Sequence, residues 1–203
     1  MSATSADADV LLGRALEPSG QLPLAAPVGA LRRRLEEENA PENLLLREKS
    51  SKKDDAVQLE YWSLVDAACQ RVYDALTDVE HYPEFVPGVD RAQILEVDGT
   101  TKTIQIAQRV IGRQSNAKVK WTFHPEKRQI DFTTVNSDLN YNDGHYELEP
   151  SPDGKRCLVR STFVVKQGQG MAQAVPIGVL AAGTREAFLA AAQGVKKRAT
   201  GAK

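Results

Sequence analysis

The residues best able to do metal or acid-base chemistry in this chain are His81, His124 and His145, and their spacing argues against a metal. No two of them stand at the i, i+4 or short-loop interval that puts a pair of ligands on one element, so no metal site is expected. His81 is expected on the solvent side of a helix, His124 at a turn and His145 on the wet face of a strand. Serine chemistry is equally unsupported, because no Gly-x-Ser-x-Gly occurs. Gly168-Gln169-Gly170 lacks the strand-turn-helix setting and the later glycine of a dinucleotide loop, and reads as a flexible entry to a final helix. Asp131, Asp138, Asp143, Glu147 and Glu149 fall mostly at strand positions away from the apolar face, where carboxylates are solvated. No cofactor is expected.

What remains is the chemistry that apolar strand and helix faces would carry if a space is left between them. General acid-base help there would have to come from Arg109, Tyr141, Tyr146 or Thr184. Arg109 is out of phase with Ile104, Ile106 and Val110 and so faces water, whereas Tyr146 is in phase with the apolar set and is the best polar candidate. Binding asks for less: a broad apolar lining with few polar anchors. Phe85, Ile106, Val119, Trp121, Phe132, Tyr146, Phe163, Leu180, Thr184 and Phe188 can supply it. Trp121 and Phe188 are preferred, one central on a strand and the other facing it from a helix. These readings favour binding over catalysis.

Those side chains need elements to hold them. Val57 to Val65 reads as a first strand, with Asp66 placed to cap the helix that follows. Ala67 to Leu76 sets Ala68, Val72, Tyr73 and Leu76 at helical spacing, and Asp78 to Phe85 gives a second short helix. In Asp78-Val-Glu-His-Tyr-Pro-Glu-Phe-Val-Pro-Gly-Val89 the apolar Tyr82, Phe85 and Val86 are bracketed by Pro83 and Pro87, which stiffen the backbone into a lid.

Five further strands are read between Asp90 and Val165, with turns at Asp98-Gly99, Gly112, Pro125-Glu126 and Pro152-Asp153-Gly154. Asn142-Asp143-Gly144 reads as a bulge or bend inside a strand. Ala117, Val119, Trp121 and Phe123 face one way and Lys118, Lys120 and Thr122 the other, which predicts a sheet with one apolar and one wet face. A last helix, Pro176 to Arg198, must cover the apolar face; Lys196-Lys197-Arg198 suits the negative end of its dipole. Its facing side is rich in alanine and glycine, so either the sheet comes very close or a space remains.

The chain of 203 residues is 41% hydrophobic and 26% charged, which fits one ordinary domain with a tail. A net charge of -1 excludes the basic field of a general nucleic-acid binder. Residues 1–55 are expected to be a poorly structured extension with one short charged helix over Val28 to Glu38, and 56–200 the folded domain. Leu44-Leu45-Leu46 is the apolar cluster of the extension that could dock on the domain. Cys69 and Cys157 lack metal spacing and disulfide-scaffold density, so two free thiols are expected, with a single bridge between them as the lesser alternative. No apolar run approaches the roughly 18–20 residues of a membrane span, and a cytoplasmic location is expected.

The order of elements, the stretch Val72-Tyr73-Asp74-Ala75-Leu76-Thr77 running into the lid motif up to Val89, Gly144-His145-Tyr146-Glu147-Leu148-Glu149-Pro150, and the closing Lys196-Lys197-Arg198 resemble the START-like SRPBCC superfamily. The likeness covers residues 57–198 and lies in its coenzyme Q-binding and polyketide cyclase/dehydrase branch. The resemblance implies an α+β helix-grip fold, in which a curved antiparallel sheet wraps a long C-terminal helix. It further implies a hydrophobic small-molecule partner, such as an isoprenoid quinone, another lipid or a polyketide, with transient membrane contact and no transmembrane segment. Non-enzymatic binding or transport is the leading expectation. The alternatives are an aromatase/cyclase-like enzyme and a ribosome- or protein-interaction module.

Overall fold

Apolar and polar residues alternate along the central strands, and that period of two builds an antiparallel sheet. The computed structural model describes residues 8–11, 44–51, 56–110, 112–168 and 175–202. Strands β1 (Ala8–Leu11), β2 (Leu44–Ser51) and β3 (Ala56–Val65) come first. Helix α1 (Cys69–Thr77), a 3-10 turn at Val79–His81 and the short helix α2 (Tyr82–Phe85) follow. Six strands then form a meander: β4 (Val89–Asp98), β5 (Thr101–Val110), β6 (Arg113–His124), β7 (Gln129–Ser137), β8 (Asn140–Pro150) and β9 (Cys157–Gln167). Helix α3 (Ile177–Thr200) closes the domain. The sheet order is β1-β2-β3-β9-β8-β7-β6-β5-β4. The strands from β3 to β9 with the long last helix make the expected helix-grip fold, an α+β arrangement in which the sheet curves around α3.

Several expectations are revised. Two segments of the N-terminal extension are strands: β1 pairs with β2, and β2 continues the sheet along β3, with Leu46 opposite Tyr61. The charged helix expected over Val28 to Glu38 lies outside the described residues. Six strands, not five, follow the lid, because the chain turns at Ser137–Asn140, where the apolar Leu139 hides the turn signal by packing against Leu180. Gly144 marks no bulge: the β8–β9 register runs through it unbroken, with Gly144 opposite Phe163. Its need is steric, since a Cβ there would sit 2.3 Å from the Thr162 carbonyl oxygen and 2.5 Å from Phe163 Cβ. Helix α1 begins after Ala68 with no side-chain cap, so Asp66 does not serve it. The outer sheet face is not wet throughout, because Trp62, Leu64 and Leu158 are each only 2% exposed.

Cys69 and Cys157 are not free thiols. They form a disulfide across 88 residues of sequence, with Cα atoms 4.8 Å apart. Sequence distance concealed the pairing. The β3-to-α1 turn brings the first residue of α1 over the start of β9, and Cys157 is fully buried there.

Helix α3 ends where Gly201 takes a left-handed conformation (φ 74°), which glycine adopts without a Cβ clash. Its small residues serve two purposes. A Cβ on Gly194 would lie 2.0 Å from the carbonyl oxygen of Phe85, so the glycine lets the α2 backbone touch the helix. Ala187, Ala191 and Ala192 instead border open space.

Candidate functional site

The space lies between the sheet and the middle of α3, with a volume of about 120 Å³. The sheet supplies its floor by register. Phe132 stands opposite Gly144, and Gly144 opposite Phe163, so the two phenyl rings close over the glycine to a centroid distance of 6.5 Å. Phe188 from α3 stacks on Phe163 at 3.8 Å and on Phe132 at 6.2 Å. Trp121, next to Phe132 at 6.0 Å, also meets Tyr82 and Tyr146 at 6.2 and 6.3 Å. Tilted and edge-on ring pairs of this kind add rigidity as well as buried area.

The expected site residues divide by position. Ile106, Val119, Trp121, Phe132, Tyr146, Thr184 and Phe188 line the cavity. Phe163 stands behind Phe188 as its stacking partner. Leu180 is fully buried and packs with Leu139 in a separate small cluster. Phe85 points away, with its ring against Tyr82 and the Arg198 guanidinium 5.4 Å above it. Local phase alone could not place these three, because the neighbours of Phe163 on β9 and of Leu180 and Phe85 on helices come from other elements.

Sequence reasoning missed Tyr61, Tyr82, Asn140 and Asn142, all of which line the cavity. The alternation of β3 could have supplied Tyr61. Asn140 had no signal, since the hairpin that aims it inward was not recognised.

The cavity is polar at one end and aromatic at the other. At the aromatic end Tyr146 is buried, and burial pushes its phenol up to about 12, offset in part by a hydrogen bond with Tyr61. Burial raises the Tyr61 phenol well above its ordinary value as well, with Tyr146 adding to the rise. Both hydroxyls stay protonated at neutral pH. Tyr82 gives its hydroxyl hydrogen to the Leu76 carbonyl at 2.6 Å, which locks the lid ring in place. The Trp121 indole N–H has no acceptor among the described residues.

At the polar end, Asn140 Nδ2 donates to Asn142 Oδ1 at 2.8 Å and to Thr184 Oγ1 at 3.1 Å. Thr134 Oγ1 donates to the Asn142 carbonyl at 2.9 Å. Thr134 lies on β7 and Asn140 and Asn142 on the start of β8, near the turn that joins the two strands, while Thr184 comes from the first half of α3. The cavity reaches the surface at Pro87, Gly88 and Arg109, all exposed lining residues. Arg109 faces water as expected, within 3.5 Å of Asp90, and marks the rim. The Gly168 to Gly170 loop, read as a flexible entry to the last helix, lies beyond Gly168 outside the described residues.

The lid is clasped to the end of α3. Asp78 accepts from His81 Nδ1 at 2.5 Å and from Arg198 at 3.0 Å. Burial opposes charge on Asp78, yet the hydrogen bonds from His81 and Arg198 hold its carboxyl below the usual range.

A curved sheet gripping a long helix over an apolar cavity, with a two-helix lid, defines the START-like class of ligand-binding domains. Residues 65–192 match the model of the polyketide cyclase / dehydrase and lipid transport family, and the chain belongs to that family. No curated protein matches the sequence significantly. Solved structures share the fold at low identity. The Zhui aromatase/cyclase from a Streptomyces species superposes with a TM-score of 0.64 at 17% identity, over 71% of this chain and 94% of its own. A STAR-related lipid transfer protein from Xanthomonas axonopodis gives 0.63 at 11% identity, over 79% of this chain and 95% of its own. A START superfamily protein from Mycobacterium smegmatis gives 0.58 at 16% identity, over 70% and 97%. Among the described residues, no helix is long and apolar enough to cross a membrane.

Proposed function

We propose that this chain is a non-enzymatic carrier of a hydrophobic small molecule, an isoprenoid quinone first and another isoprenoid lipid second. One observation carries the reading: an aromatic-lined cavity lies between sheet and helix, with its rim at the lid. Apolar surface withdrawn from water there contributes about 25 cal/mol per Å², enough to retain a ligand without a charged anchor. The cavity volume of about 120 Å³ is small beside the roughly 300–1,000 Å³ of sites for drug-sized ligands. With the lid closed it takes one ring system, and a longer tail leaves past Pro87 and Gly88 or displaces the lid. The lipid transfer protein with the same fold supports this reading.

Solvent extraction of the purified protein followed by mass spectrometry tests it. A co-purified quinone or lipid is the expected result. Repeatedly empty preparations that also fail to take up quinone analogues overturn it.

A second reading has its own observation. Tyr146, protonated and buried beside Tyr61 in the cavity, could donate a proton to a carbonyl during ring closure, as an aromatase/cyclase requires. A polyketide substrate turned over equally by the protein and by Tyr146→Phe removes that acid.

The Cys69–Cys157 bridge supports maturation where thiols oxidise, not the cytoplasm expected from the sequence. Mass spectrometry of alkylated protein from its native compartment tests this; two alkylated cysteines overturn it.

A further inference from the structure

We infer that the Asn140–Asn142–Thr184 cluster recognises an oxygen-bearing end of the ligand, so that the cavity selects an oxygenated hydrophobic molecule over a plain hydrocarbon. The inference rests on the carrier reading and narrows its ligand class. Asn140 is 5% exposed and Thr184 2%, and both line an otherwise largely apolar cavity. A buried amide and hydroxyl cost stability unless their hydrogen bonds are made. Here they are only partly made. Both hydrogens of Asn140 Nδ2 are used, on Asn142 Oδ1 and on Thr184 Oγ1. Among the described residues no hydrogen bond reaches the Asn140 amide oxygen or leaves the Thr184 hydroxyl, and the amide oxygen is not one of the sealed atoms that lack a partner, so it is reachable from open space.

A purely structural tether between β8 and α3 needs one donor and one acceptor, which the Asn140–Thr184 bond already provides. The surplus acceptor and donor are what a ligand hydroxyl or carbonyl would use. The hydroxyl of Thr184 donates to a carbonyl oxygen, and the amide oxygen of Asn140 accepts from a hydroxyl. The bond between the two holds the rotamers of both side chains, so the site is set before ligand arrives. Its place suits selection. The cluster lies at the opposite end from Tyr61 and Tyr146, so a ring directs its oxygen at the asparagines and its hydrocarbon at Trp121 and Phe132. A site built to hydrogen-bond a ligand group discriminates strongly against the analogue lacking it, because its own polar atoms are then left unpaired.

The test uses 1-tetralone and tetralin, which share a carbon skeleton and differ by one carbonyl oxygen, titrated by calorimetry into the protein and into Thr184→Val. That substitution keeps the shape of the side chain and removes only the hydroxyl. The expected result is that Kd for 1-tetralone rises roughly tenfold more than Kd for tetralin, with the difference restored in Thr184→Ser. A tether alone predicts that both Kd values rise together, and that outcome overturns the inference while leaving the carrier reading intact. Failure of both probes to bind also overturns the inference, while uptake of a quinone analogue still decides the carrier reading. A measurement on the unaltered protein needs no variant: in ¹⁵N-labelled protein the Asn140 side-chain amide resonance is expected to shift with 1-tetralone and not with tetralin. Equal shifts with the two probes also overturn the inference.

Discussion

The two halves of α3 are built from similar small residues and meet opposite surroundings. Near its end, Gly194 lies against the α2 backbone, Arg198 is bonded to Asp78 and stacked on Phe85, and a disulfide ties α1 to β9 close by. In its middle, Ala187, Ala191 and Ala192 face a cavity. One end of the lid is bolted to α3, while the other, exposed at Pro87 and Gly88, is tied to β5 by the Arg109 N–H donating to the Gly88 carbonyl at 2.8 Å. The difference teaches that an alanine and glycine stripe is not a cavity signal. What fills the space opposite each small residue decides whether it means close packing or a void.

Removing the strongest bolt should have the largest effect. In the chain-entropy account, cross-linking a loop of this length removes about 4–5 kcal/mol of unfolded-state freedom. Replacing both Cys69 and Cys157 by serine should therefore lower stability by an amount approaching that figure in urea unfolding. Stability within about 1 kcal/mol of the parent would show that the bridge does not bear on the lid.

Crowding the seam comes next. Gly194→Val puts a branched side chain where even one Cβ lies 2.0 Å from a carbonyl oxygen, and overpacking of this kind costs about 1–3 kcal/mol or more. Thermal melting should drop by several degrees. Ala191→Leu makes the opposite comparison: it fills the cavity, so melting should move little while uptake of a quinone analogue falls at least tenfold. Equal thermal cost at the two positions would erase the distinction between seam and hollow.

The smallest effect concerns the clasp. The hydrogen bond to Asp78 holds the His81 imidazole above its ordinary value of 6.5, with the charges of Asp78 and Glu84 adding and that of Arg198 opposing. A group raised in this way contributes fully below its unfolded value, and the contribution is lost as pH climbs through the folded value. Asp78 works in the reverse sense: its contribution is present above the unfolded carboxylate value and lost as pH falls through the lowered one. The clasp should therefore hold from mildly acidic to near-neutral pH and loosen on the alkaline side. Ligand release measured by stopped flow should quicken modestly as pH rises past neutrality, and Asp78→Asn should flatten that dependence. His81 is exposed, so the change is expected to stay within a few-fold.

Much of the meander was legible because burial on one face forces a period of two, and Ala117, Val119, Trp121 and Phe123 kept that phase in the structure. The turn at Ser137–Asn140 was not, since Leu139 carries no turn chemistry and owes its place to Leu180 on a distant helix. Part of the cavity wall followed from phase. Leu180 and Phe85 share that apolar character yet line nothing, because their neighbours come from other elements. Tyr61 and Asn140 were passed over for the converse reason: a polar atom is a site only when the fold brings a void to it.

By itself the sequence determined the order of elements, the apolar face of the central strands, the lid between two prolines and the helix that covers the sheet, since each follows from local periodicity and backbone chemistry. Only the tertiary structure decided that two cysteines 88 residues apart are bonded, that Gly194 marks contact where its alanine neighbours mark a hollow, and that Asn140 meets Thr184 inside it. Those outcomes depend on distances between segments remote in sequence. No local pattern encodes them, because the same small or polar residue gains its meaning from the neighbour that folding places opposite.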